Sequence, residues 1–150
     1  MKSRRLCREA ALQALYQFDT LGEYSPDSLA FFIGHFQAQL DLDDSDPDSR
    51  FVAGDFCREL VQGVAENLDS IDEQITRASE HWSLPRMARI DRNILRIAAY
   101  EMAFRADIPR KASINEAIEI ARRFSAPDAT MFINGVLDKI AAQLPPREQS

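Results

Sequence analysis

The sequence predicts an all-α protein, and three observations carry that prediction. Apolar residues recur at three- and four-residue steps through most of the chain, and no segment alternates convincingly with period two. Glycine and proline number only 5 and 7 in 150 residues. Valine and threonine, which favour strands, are also few.

A first helix is expected over residues 3–20, where Leu6, Ala10, Ala14 and Phe18 recur at steps of four. Leu21-Gly22 supplies a stop. Ser25-Pro26 offers an N-cap and a first-turn proline for a second helix with the stripe Leu29, Phe32, Ile33, Phe36 and Leu40. Residues 41–49 form an acidic, turn-rich loop. A third helix carries Val52, Phe56, Leu60 and Val64, and a fourth carries Ile71, Ile75, Ala78 and Trp82. Pro85 breaks the pattern.

The fifth helix, residues 87–105, is apolar around most of its circumference and should be the most buried helix of its half. Ser113-Ile114-Asn115-Glu116 has the form of a capping box, with Ser113 at the N-cap of a sixth helix that buries Ile114, Ala117, Ile118, Ala121 and Phe124. Ser125-Ala126-Pro127-Asp128 starts a seventh, with Phe132, Ile133, Val136, Leu137 and Ile140 on its core face, and Pro145-Pro146 ends it. Asn134-Gly135 lacks flanking strands, so it stays helical, with the glycine expected to admit a close neighbour. The expected architecture is about seven helices in two packed subdomains, about 1–80 and about 81–145.

A chain of 17.0 kDa with 45% hydrophobic residues can bury a core without disulfides or a structural metal. Cys7 and Cys57 form no CxxC pair and read as buried thiols in a reducing compartment. The start of the chain lacks the apolar core of a signal peptide, and no apolar run reaches the roughly 18 residues of a membrane helix. A cytoplasmic protein is expected.

The net charge of −6 argues against nucleic acid until its distribution is followed. Residues 1–18 hold Lys2, Arg4, Arg5 and Arg8 against Glu9 alone, residues 19–80 balance at −12, and residues 81–150 at +3. Bases at a helix start oppose the macrodipole at roughly 0.3–1 kcal/mol each, so the cluster does not serve the helix. It is either a basic tail or a phosphate-binding surface.

Catalytic signals are missing. His35 and His81 lie in no metal-ligand spacing, and neither a phosphate loop nor a nucleophile elbow occurs. Asp43, Asp44, Asp46 and Asp48 lack the glycine and closing glutamate of a calcium loop. No cofactor and no metal are expected. Glu101 falls in an apolar register, either as a functional carboxylate or as the i,i+4 partner of Arg105. Phe132 is either core or a platform for an unpaired base.

The run Arg4-Arg5…Arg8-Glu9-Ala10…Gln13-Ala14-Leu15-Tyr16 resembles the start of NusB family proteins. Ile94-Leu95-Arg96-Ile97-Ala98-Ala99-Tyr100-Glu101, Ile108-Pro109, Ile114-Asn115-Glu116-Ala117-Ile118-Glu119 and Phe132-Ile133-Asn134-Gly135-Val136-Leu137-Asp138 continue the resemblance in order. It covers the start and nearly all of residues 90–140, while the acidic middle is generic. The resemblance implies two helical subdomains and a role in transcription antitermination of ribosomal RNA operons. The implied partners are boxA RNA, the ribosomal protein NusE and a modified RNA polymerase complex; a homodimer is left open.

Position by position, Lys2, Arg4, Arg5 and Arg8 match the family's RNA-contacting start, and Asp128 and Phe132 match positions at or beside its RNA surface. Tyr16 and Asp91 match positions that face NusE. Two departures stand out: Leu6 follows Arg4-Arg5 where three arginines are frequent, and Ser125 follows Phe124 where Phe-Gly is frequent. An rRNA methyltransferase carrying a NusB-like domain is the rival in another class, and the chain shows no cofactor-binding βα units.

Overall fold

A continuous stripe on a 3.6-residue period is what turns the first stretch into a helix with a buried face. In the computed structural model, helix α1 (Lys2–Leu21) buries Cys7, Ala11, Leu12, Ala14, Leu15 and Phe18. Of the expected stripe, Ala14 and Phe18 are buried while Leu6 and Ala10 are only half-buried. Strict steps of four drift around a helix; mixed steps of three and four, as observed, stay on one face. Gly22, at φ +73°, ends α1 and donates its N–H to the Phe18 carbonyl at 2.8 Å. That left-handed backbone is why a glycine stands there.

The structure describes residues 2–22, 27, 30–31, 47–80 and 82–146. Of the expected second helix only residues 27, 30 and 31 are described, all helical; Asp43, Asp44, Asp46 and the His81 position lie outside the described residues, while Asp48, expected in the acidic loop, falls in a helix that begins at Pro47. Among the described residues all regular structure is helical. The chain divides into two units, Met1–Ala65 and Glu66–Ser150.

In the first unit, helix α2 (Pro47–Glu66) buries Phe56, Cys57, Leu60, Val61 and Val64. The Val52 side chain lies outside what is described. Burial pushes the Cys7 and Cys57 thiols up to about 12, so both stay protonated and unreactive near neutral pH.

The second unit opens with helix α3 (Leu68–Ala78), whose Ile71, Ile75 and Ala78 pack toward the core. A 3-10 turn (Leu84–Arg86) holds Pro85, and helices α4 (Arg89–Phe104), α5 (Arg110–Phe124) and α6 (Ala129–Gln143) complete the unit. Helix α4 packs against α3, α5 and α6, the central position its apolar circumference predicts. The unit boundary falls at 65/66 rather than about 80, because α3 packs on α4 and α6. Arg96, buried in α4, forms a bidentate pair with Asp72 of α3 at 2.9 and 3.0 Å and donates to Asn93 Oδ1 at 3.1 Å. A charge at that depth requires such partners.

Two sequence expectations are corrected here. Ser113 is not an N-cap: α5 begins a turn earlier with Pro109 at its N-cap, and the buried Ser113 hydroxyl donates to Glu101 Oε1 at 2.8 Å. The Glu101 that accepts this bond is 1% exposed, and Arg105, one turn further along α4, forms a bidentate pair with Asp107, both bonds at 2.8 Å. Gly135 admits no close neighbour; a Cβ there would meet nothing within 4 Å.

Candidate nucleic-acid interface

Each unit carries one set of the expected contact residues. In the first unit the basic cluster occupies the first two turns of α1, with no acid in its first turn. Arg5 is exposed and Arg4 half-exposed, while Arg8 is only 5% exposed. The guanidinium carbons of Arg4 and Arg8 lie 5.3 and 5.5 Å from the centroid of the Phe56 ring on α2. These cation–π contacts fix the arginine stems and offset part of the cost of placing cations at a helix start. The Lys2 side chain lies outside what is described. Tyr16, two turns beyond Glu9 on the same helix, is 40% exposed.

In the second unit, residues far apart in the sequence line a cleft of about 270 Å3. Trp82, Arg86, Met87 and Ala88 come from the α3–α4 connection, Asp91 from the first turn of α4, and Ala126, Asp128, Ala129 and Phe132 from the entry to α6. The expected RNA residues Asp128 and Phe132 therefore share a cleft with Asp91, which the resemblance assigned to a protein partner.

Local bonds build its walls. Trp82 falls past the end of α3, where its N–H donates to the Ser79 carbonyl at 2.9 Å and its own carbonyl accepts from Ser79 Oγ at 3.1 Å. It is thus 53% exposed and not the core residue its spacing suggested, since the helix stops before it. Arg92 Nη1 donates to the Leu84 carbonyl at 3.3 Å and ties the 3-10 turn that carries Arg86 to α4. Phe132 is half-buried and absent from the fully buried face of α6, which is Ile133, Val136, Leu137 and Ile140.

Asp128 occupies the N-cap position of α6 with helical backbone angles and makes no side-chain cap bond. Asp91 accepts a hydrogen bond from the Ser125 hydroxyl. Ser125 caps the C-terminus of α5 and does not start α6, a correction to the expected helix boundary. Phe124, expected in the core, is 41% exposed with the Arg123 guanidinium 5.2 Å from its ring centroid. Trp82, Arg86 and Ser125 were not singled out as site residues. A tryptophan three residues before a helix-breaking proline was the available signal for the first.

Among the described residues, no three His, Cys, Asp or Glu side chains are grouped to hold a metal ion, and no helix is long and apolar enough to cross a membrane.

The NusB family model matches residues 5–142. The chain is 48% identical to the transcription antitermination protein NusB of Geobacter sulfurreducens over 97% of its own length and 98% of that protein. It is 44% identical to the protein of the same name from Myxococcus xanthus, over 96% and 98%. Among solved structures it is similar to T. maritima NusB, with a TM-score of 0.76, 37% identity and coverage of 97% and 95%. It also shares the fold of a chain from the crystal structure of antitermination factors NusB and NusE in complex with dsRNA, with a TM-score of 0.74, 22% identity and coverage of 95% and 98%.

Proposed function

The chain belongs to the NusB family, and from that premise we propose that it is a cytoplasmic transcription antitermination factor that binds RNA with a NusE-type ribosomal protein. The RNA is boxA-type and single-stranded, and the complex it joins keeps RNA polymerase processive on ribosomal RNA operons. The role is binding, not catalysis.

One observation carries the RNA reading: Phe132 and Trp82, both accessible, line the same cleft as Arg86, Asp91 and Asp128. Accessible aromatics beside a cation and hydrogen-bonding groups suit an unpaired base, because every base offers a face to stack on and a polar edge to read. Arg4 and Arg5, with Lys2, supply charge for the phosphate backbone. Arg8, packed over Phe56, acts mainly by holding that end of α1 in place. Tyr16, accessible on α1, is left for the protein partner, while Asp91 groups with the RNA residues.

Titrating fluorescent boxA-type RNA into the protein, with and without the NusE-type partner, tests the reading. Saturable RNA binding that the partner strengthens is expected. Partner binding with no RNA affinity in either arm would make the protein an adaptor instead.

A further inference from the structure

The cleft beside α4 holds a more specific message than affinity for RNA. Its lining carries two carboxylates, Asp91 and Asp128, against one cation, Arg86. A phosphate entering it would meet net negative charge, so the cleft is built for the uncharged part of a nucleotide. At about 270 Å3 it sits at the small end of ligand clefts, a size for one base rather than for a duplex groove.

We propose that this cleft is a guanine-selective pocket for one unpaired RNA base, a proposal that rests on the RNA-binding reading above. Arg86 offers a fork of donors and no acceptor, whereas Asp91 offers acceptors and no donor. Among the described residues the side chains of Arg86 and Asp128 bond no other residue, and the one side-chain bond of Asp91 is from Ser125. That bond pins one carboxylate oxygen and leaves about three of the four acceptor sites of the group for a ligand.

A base that satisfies both groups must show two acceptors on one edge and donors on another. Guanine does so, with O6 and N7 for the arginine fork and N1–H and the N2 amino group for the carboxylate. Adenine puts its N6 amino group where the arginine needs an acceptor. Cytosine sets a ring acceptor beside its single amino group, and uracil flanks its N–H with two carbonyls that would oppose the carboxylate. Trp82 and Phe132 supply stacking surface that any base can use, so they add affinity without choice. Choice falls to Arg86 and Asp91, with Ser125 as the positioning residue that orients Asp91.

The test uses the full chain and short uridine oligomers carrying one guanosine, one inosine, one adenosine or none, read by fluorescence anisotropy. The guanosine oligomer should bind roughly ten-fold more tightly than the adenosine or all-uridine ones, with inosine, which lacks the N2 amino group, between them. Asp91→Asn should erase the guanosine–inosine difference. Ser125→Ala should shrink it, and Ser125→Thr should restore it. If all oligomers bind equally while Phe132→Ala still weakens each, RNA binding stands and the guanine pocket falls. If Asp91→Asn leaves every RNA affinity unchanged and weakens only capture of the protein partner, the pocket also falls. If no oligomer binds, alone or with the partner, the RNA-binding reading fails and takes the pocket with it.

Discussion

Phe132 and Gly135 lie within one turn of α6 and have opposite consequences when changed. A fully buried phenylalanine loses roughly 3–5 kcal/mol on truncation to alanine. Phe132 is half-buried at a cleft, so Phe132→Ala should cost about half of that or less. It should nevertheless lose roughly 1–3 kcal/mol of RNA affinity, the contribution of a stacked base. Thermal unfolding beside RNA titration separates the two quantities. A loss of stability as large as that of a core phenylalanine, with RNA affinity of the folded fraction unchanged, would return Phe132 to the core. Gly135 is exposed, helical and surrounded by open space. Gly135→Ala should therefore raise stability by roughly 0.5–1 kcal/mol through helix propensity alone. The same change at Gly22 should destabilise, because φ there is +73°. Urea denaturation of the two variants should show shifts of opposite sign.

At the scale of elements, the helices could be read from the sequence and their junctions could not. Ile71, Ile75 and Ala78, or Ile133, Val136, Leu137 and Ile140, repeat on a helical period whatever packs against them, and the structure buries each one. Caps depend on which neighbour claims a hydroxyl. Ser113 has the spacing of a capping box, yet its hydroxyl goes to Glu101, twelve residues back on another helix. Ser125 has the position of an N-cap, yet its hydroxyl goes to Asp91. The cleft was illegible for the same reason: Trp82, Asp91 and Phe132 meet through tertiary packing, which no local period encodes. The Ser113 correction is itself testable. Removing a donor from a buried acceptor costs roughly 1–3 kcal/mol, and the cost should vanish when the acceptor is changed too. A double-mutant cycle of Ser113→Ala and Glu101→Leu should give a coupling of roughly 0.5–3 kcal/mol. A coupling near zero would mean that the serine acts alone.

For the molecule as a whole, the net charge of −6 and an affinity for RNA are compatible because charge is segregated along the chain. Salt screens charges beyond roughly 8–10 Å, so RNA at the start of α1 responds to the charge near it more than to the net charge of the chain. Each phosphate contact to single-stranded RNA contributes about 0.7 to the slope of log affinity against log salt. Arg4→Ala with Arg5→Ala should therefore weaken binding at low salt and flatten that slope by up to about 1.4. Arg8→Ala should behave differently. Its guanidinium is buried over Phe56, so its removal should mainly lower the unfolding temperature and leave the slope of the folded protein close to the parent value. The contrast discriminates because all three changes remove the same formal charge. If only net charge mattered, Arg8→Ala would flatten the slope as much as either neighbour. If the start of α1 were a plain basic tail, none of the three would move it.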